Sequence, residues 1–117
     1  MLATSNEKQV IDNIFSVFER DLLPVDHRMF LEHLYSAHNF RPKVIYDIGS
    51  AVLHWYRHAK RIWEGSQIVC FDAFSPLECL YKACNVDYQI ACLSDNDGSI
   101  RKFYQNDMLF GGNSLFR

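Results

Sequence analysis

The amino-acid sequence predicts an α/β fold built on a small parallel sheet, with two helices in front of it. Three apolar segments of strand length occur at residues 44–48, 67–71 and 86–93, and segments of helix-forming composition separate them. Connections of this length imply right-handed crossovers between parallel strands. A glycine-containing turn after the third segment predicts an added antiparallel hairpin. The expected sheet is half of a doubly wound sheet, with the first strand at its free edge.

Composition and charge limit the classes of protein to which the chain can belong. With 117 residues, 49% of them hydrophobic, the chain is long and apolar enough to fold around a core. The formal net charge of -2 gives no electrostatic footprint for nucleic acid. Neither a signal peptide nor an apolar run of membrane-spanning length is found. We expect a cytoplasmic protein with reduced thiols, although a pairing of Cys79 with Cys84 by metal or disulfide stays open.

Residues 1–42 are expected to form a helical segment that precedes the sheet. Thr4 and Glu7 have the spacing of a capping box, which marks the start of a helix. Apolar residues then recur at three- and four-residue spacing until Pro24 ends the pattern. Asp26 is in position to cap a second amphipathic helix. The segment therefore predicts two helices that must pack against another part of the chain.

Residues 43–117 are expected to form the sheet and its helices. In chain order we expect a strand at 44–48, a helix at 51–63 and a strand at 67–71 that ends in Asp72. A short helix follows, with Ser75 as its cap and Pro76 in its first turn. After it we expect a strand at 86–93, a turn at 95–98, a returning strand at 100–105 and an irregular loop at 111–114.

The junction after the first strand is the strongest candidate for a ligand site. Asp47 and Gly49 form an Asp-x-Gly motif at the point where open α/β sheets place nucleotide-like ligands. A nicotinamide-binding fold would show the pattern G-x-G-x-x-G here, and this chain does not. A carboxylate at this point suits an ammonium or sulfonium group better than a pyrophosphate. The structural alternative is that Asp47 only caps the following helix.

Asp72 is the second candidate, because it ends the second predicted strand. An acidic residue at this position commonly accepts hydrogen bonds from both ribose hydroxyls of a nucleoside. The structural alternative is again a cap, in this case for the short helix that begins near Ser75. The two aspartates together indicate a nucleoside site more specifically than either one does alone.

Four segments in chain order resemble the N-terminal half of the FkbM family of S-adenosylmethionine-dependent methyltransferases. They are VIYDIGS, VCFDAF, IACLSDNDGSIRKFY and GGNSLFR, and the resemblance covers roughly residues 43–117. The family has a strand ending in Asp-Ile-Gly, a strand ending in an acidic residue, a small-Leu-Ser-Asp motif with a glycine turn, and a Gly/Ser-rich loop. It usually has Asn and a further Gly after Asp-Ile-Gly, where this chain has Ala51 and Leu53.

The resemblance implies a Rossmann-like class I methyltransferase fold, of which this chain is a partial and apparently truncated version. It assigns the methionine end of S-adenosylmethionine to Asp47, Gly49 and Ser50. It assigns the ribose to Asp72 with Ala73 beside it, and the adenine pocket to Cys92 and Leu93. Family members methylate hydroxyl groups, typically of sugars or natural products, so O-methylation of such a small molecule is expected. No catalytic residue is implied by the matching motifs.

Other functions are also compatible with the sequence. The main alternative is a catalytically incomplete binding module that forms homo-oligomers through the free edge of its sheet. His54 and His58 have the i, i+4 spacing of a metal chelate, but they lack a motif, and structural or surface histidines are the favoured interpretation. The basic residues of the predicted helix at 51–63 are expected to form a solvated face.

Overall fold

The computed structural model describes residues 5–20 and 23–93. Its elements are α1 at Ser5–Arg20, α2 at Val25–Ser36, β1 at Val44–Ile48, α3 at His54–Ile62, β2 at Gln67–Asp72, a 3₁₀ turn at Ser75–Leu77, α4 at Glu78–Ala83 and β3 at Asp87–Ile90. The predicted Thr4 cap and the elements predicted at 95–98, 100–105 and 111–114 lie outside the described residues.

The three strands form one parallel sheet in the order β1-β2-β3. The register pairs Asp47 with Cys70 and Asp72 with Ile90, so the carboxyl ends of the strands lie at the same edge. The mixed α/β class and the parallel sheet are confirmed, and they are compatible with part of a Rossmann-like fold. In the described part of the chain, β1 has a strand on one side only.

The helices cover one face of this sheet through two groups of buried side chains. One core joins α1, the 3₁₀ turn and α4 to Cys70 of β2, with Ile14 of α1 fully buried. The other joins α2 and α3 to Ile68, which lies on the same face of β2. The spacing of apolar residues in α1 and α3 therefore serves to dock these helices on the sheet. No helix in residues 5–20 and 23–93 combines the length and the apolar character needed to cross a bilayer.

Two predicted helix caps are wrong. The helix α2 begins one residue before Asp26, because the backbone carbonyl of Pro24 accepts the first helical bond from Arg28 N at 3.1 Å. Asp26 lies inside the first turn, where its charge still favours the helix dipole. Ser75 is the first residue of the 3₁₀ turn, and Phe74 takes the cap position without a side-chain bond.

The start of α3 also differs from the prediction, because residues 50–53 form a tight turn. The amide of Leu53 donates to the carbonyl oxygen of Ser50 at 2.9 Å. Ala51 and Leu53 have φ values of 44° and 65°, which lie in the left-handed region and cannot belong to a right-handed helix. The helix begins at His54 for this reason. The third strand is also shorter than predicted and ends at Ile90.

Candidate functional site

The carboxyl edge of the sheet brings together the residues that the sequence singled out on β1 and β2. Asp47 is the fourth residue of β1, and Gly49 and Ser50 follow the end of that strand. Asp72 ends the neighbouring strand, with Ala73 next along the chain. Because β1 and β2 are parallel neighbours, the two aspartates lie close enough for the charge of Asp72 to act on Asp47.

The carboxyl group of Asp47 is buried and only partly bonded. The residue is 8% exposed, and its Oδ2 atom has no hydrogen-bond partner among the described residues. Burial raises the pKa of Asp47 above its ordinary value, the neighbouring Ser50 hydroxyl opposes this rise, and the charge of Asp72 adds to it. A buried carboxylate oxygen without a partner is unfavourable in isolation, so this atom is suited to a ligand that brings a donor or a positive charge.

Backbone amides of the loop after β1 are already used within the protein. The amides of Gly49 and Ser50 both donate to the carbonyl oxygen of Phe71, at 2.8 and 3.0 Å. The amide of Ala51 donates to Asp72 Oδ2 at 3.0 Å. An anion-binding loop needs free amides that point at the ligand. This loop instead offers the carboxyl group of Asp47, which favours a cationic group over a phosphate.

Asp72 connects two loops at this edge of the sheet. In addition to Oδ2, which accepts from Ala51, its Oδ1 atom accepts a bond from the amide of Phe74 at 3.0 Å. Asp72 therefore has a structural role, as the alternative interpretation of the sequence expected. It joins two loops, however, and does not cap the short helix. An ionised carboxylate has about four acceptor positions, so these two bonds leave one on each oxygen for a ligand.

Tyr81 and Leu53 stabilise the turn at residues 50–53, and no sequence motif indicates this role. The Tyr81 hydroxyl donates to the carbonyl oxygen of Ala51 at 2.8 Å. Burial, followed by the charges of Asp72 and other acidic groups, raises the pKa of Tyr81 well above its ordinary range, so the phenol stays a donor. Leu53 is fully buried in the core that contains Tyr81.

Cys92 and Leu93 follow the end of β3, which brings them to the same edge of the sheet. The amide of Ala91 bonds to the carbonyl oxygen of Asp72 at 2.9 Å and keeps this segment beside β2. Cys92 is exposed, and Leu93 is 48% exposed. Both side chains are therefore accessible at this edge.

The remaining candidate residues are the possible metal ligands, the cysteines and the basic residues of α3. Within residues 5–20 and 23–93, no cluster of three or more His, Cys, Asp or Glu side chains is placed to hold a metal ion. All four cysteines are free, and burial raises the pKa of the Cys70 thiol to about 11, so it is unreactive. The expected solvated face of α3 is wrong for Arg57, whose guanidinium lies 4.3 Å from the ring centre of Phe18.

Comparisons of this chain with protein-family models, with curated proteins and with solved structures returned no match.

Proposed function

We propose that the carboxyl edge of the sheet binds S-adenosylmethionine and that the chain belongs to an enzyme that methylates hydroxyl groups of a small molecule. The observation that carries this proposal is the buried Oδ2 atom of Asp47, which has no partner within the described residues. The cofactor carries an ammonium and a sulfonium group at its methionine end, and either one compensates a buried carboxylate.

The order of the strands supports the assignment of the rest of the cofactor. With β2 between β1 and β3, a ligand that lies across the carboxyl edge meets Asp47, then Asp72, then Cys92 and Leu93. Neighbouring strands are about 4.8 Å apart, so this path is about 10 Å long, which suits a nucleoside with a short side chain. The ribose belongs beside Asp72 and Ala73, where one acceptor position on each carboxylate oxygen is left for the two hydroxyls.

The backbone at Ala51 and Leu53 supports the resemblance to the FkbM family. These are the two positions at which the family usually has Asn and Gly, and both have positive φ here. Asn and Gly adopt this left-handed geometry more easily than other residues do. The backbone of this chain therefore has the left-handed geometry that suits the Asn and Gly of the family. Its own residues at these positions, Ala51 and Leu53, adopt that geometry less easily.

The chemistry proposed for this site depends on positioning. Bound S-adenosylmethionine supplies a methyl group on a sulfonium, and the attacking oxygen must lie in line with it. Asp47 holds the methionine end, and Gly49, without a side chain and with φ of 79°, lets the backbone turn next to it. No described residue is assigned as the base that takes the proton of the acceptor hydroxyl. A sugar is the acceptor that the resemblance implies.

Thermal unfolding in the presence of nucleotides tests the proposed ligand class. We expect the melting temperature to rise with S-adenosylmethionine and S-adenosylhomocysteine, because both bind the folded state only. A nicotinamide dinucleotide at the same concentration is the matched control, and it should have no effect because its pyrophosphate finds no free amides at Gly49, Ser50 and Ala51. A rise with the dinucleotide alone would reject the proposal in favour of a nicotinamide site.

A second candidate function is favoured by the exposed strand β1. Its side chains Val44, Tyr46 and Ile48 share one face and are 51%, 64% and 65% exposed. Apolar side chains beside an unpaired strand edge promote association with a second chain. The alternative is therefore a catalytically incomplete module that forms homo-oligomers through this edge. Light scattering separates the two, because a strict monomer that transfers methyl groups is incompatible with the alternative.

A further inference from the structure

A small basic pocket lies between α2 and α3, away from the proposed cofactor site. Its volume is about 40 Å³, which is room for roughly three water molecules. Among the described residues that line it there is no aspartate or glutamate, and five of these six side chains are arginine or histidine. The lining residues are Leu23, Arg28, His54, Arg57, His58 and Arg61.

The sequence of α3 places four of these side chains on one face of the helix. His54, Arg57, His58 and Arg61 are spaced at i, i+3, i+4 and i+7, and the helix contains no acidic residue. Arg28 faces them from α2. Arg28 and Arg61 are both positively charged, so an anion between the two helices would interact favourably with both.

Buried polar atoms without partners point to the same conclusion. Arg28 Nε and both ring nitrogens of His58 are buried without a hydrogen-bond partner among the described residues. The side chain of His58 is only 10% exposed. Its Nε2 atom lies 3.5 Å from Glu32 Oε1, but without hydrogen-bond geometry, and the Glu32 side chain is 61% exposed. Buried donors in a folded protein normally have an acceptor, and an oxyanion supplies several.

The arginines of the pocket contribute in different ways. Arg57 is anchored by its bond to the carbonyl oxygen of Leu53 at 3.4 Å and by the ring of Phe18, so it adds charge from a fixed position. Within residues 5–20 and 23–93, Arg28 and Arg61 form no side-chain hydrogen bond or ion pair that would compete for a ligand. A guanidinium group matches the oxygens of a phosphate with two parallel hydrogen bonds.

We propose that this pocket between α2 and α3 binds a phosphate-type oxyanion, held by Arg28, His58 and Arg61. The volume admits one tetrahedral group and excludes a nucleotide. The ligand is therefore free phosphate or the phosphoryl end of a small phosphate ester, with the rest of the ester outside the pocket. This site is separate from the proposed cofactor site, because neither Asp47 nor Asp72 lines it.

Thermal unfolding and calorimetry of the full chain test the proposal, with inorganic phosphate and glycerol 1-phosphate as separate ligands. Sodium chloride at matched ionic strength controls for screening. We expect saturable binding of at least one of the two ligands, and the pair shows whether the free ion or the ester is preferred. Arg28→Gln and Arg61→Gln should each weaken binding about tenfold, because each removes a charge-assisted contact. Arg61 is exposed, so its variant keeps the test valid if Arg28→Gln does not fold.

Lys60→Gln is the matched control, because Lys60 lies on the same helix and carries the same charge but does not line the pocket. It should change the affinity by less than about twofold. Equal losses in the lysine and arginine variants would mean a diffuse surface effect and would overturn the proposal. So would the absence of binding by the wild-type chain.

Discussion

At the scale of single residues, the carboxyl group of Asp47 is the unusual feature of the site. It is buried at the carboxyl edge of β1, and one of its oxygens has no partner among the described residues. Such a group reduces the stability of the ligand-free protein. Residues that bind ligands often destabilise the folded protein. Replacing such a residue then raises the stability and weakens the binding, which is the stability–function trade-off.

The variant Asp47→Asn should be more stable than the wild type near neutral pH. The folded protein holds the Asp47 proton more tightly than the unfolded chain does, because burial raises this pKa. The contribution of Asp47 to the free energy of unfolding therefore falls as the pH rises from the ordinary pKa of 3.8 through the raised value. Above the raised value this contribution is constant. Asparagine has no charge to bury, so the advantage of the variant should disappear as the pH falls toward 3.8.

Chemical denaturation of both proteins across this pH range is the measurement. Asp87→Asn is the matched control, since Asp87 is exposed at the start of β3. A stability difference for Asp47→Asn that is independent of pH would mean that the buried charge is not its cause.

The variant Asp72→Asn should lose about 2 kcal/mol of unfolding free energy. The two oxygens of Asp72 accept bonds from the amides of Ala51 and Phe74, and an asparagine side chain has only one oxygen to offer. Denaturant unfolding measures the loss, and Asp87→Asn should stay within about 0.5 kcal/mol of the wild type. A loss no larger than that of Asp87→Asn would show that Asp72 does not join the two loops.

At the scale of elements, the turn at residues 50–53 decides the shape of the site. It ends the first strand, delays the start of α3 and carries the amide that bonds to Asp72. Its left-handed residues are an alanine and a leucine, which are good helix formers. Bonds to Asp72 and Tyr81, and the burial of Leu53, hold a backbone geometry that the local sequence disfavours.

Replacing Ala51 with glycine should stabilise the protein by up to about 1 kcal/mol. The change relieves the strain of a side chain at φ of 44°, and the greater freedom of glycine in the unfolded chain offsets part of the gain. Ala83→Gly on α4 is the control, because the same substitution in a helix should destabilise. Thermal unfolding of the two variants checks the opposite signs. Destabilisation by both substitutions would contradict the strain at Ala51.

The elements that the sequence predicted well are those with a strong apolar pattern. The strands β1 and β2 occur where the apolar segments predicted them, because each is a short apolar run bounded by turns. The start of α3 could not be predicted, since no residue at 51–53 marks a left-handed turn. The cap of α2 was predicted wrongly because the helix begins at Val25, which places Asp26 inside its first turn.

The candidate site was predictable only in part. The positions of Asp47 and Asp72 at one edge follow from the parallel strands, but the use of the Asp72 oxygens depends on loop geometry that residue type does not reveal. The basic pocket was missed for a similar reason. The spacing of His54, Arg57, His58 and Arg61 was visible in the sequence, but the approach of Arg28 depends on how α2 packs on α3.

At the scale of the whole molecule, the helices cover one face of the sheet and β1 lies at its edge. If the chain associates through this edge, Ile48→Lys should shift it to the monomer, because a lysine at a strand edge opposes pairing with another strand. Multi-angle light scattering over a range of protein concentrations measures the change. Met29→Lys on the exposed surface of α2 is the control. An oligomer that persists in Ile48→Lys and dissociates in Met29→Lys would place the contact on α2.

The measurement that tests the central claim most directly is a calorimetric titration of the full chain with S-adenosylmethionine. The account predicts binding with one site per chain, an affinity about tenfold weaker in Asp47→Asn and an unchanged affinity in Asp87→Asn. Circular dichroism must show that all three proteins are folded. The absence of heat at a cofactor concentration of about 1 mM, or equal affinities of wild type and Asp47→Asn, would contradict it.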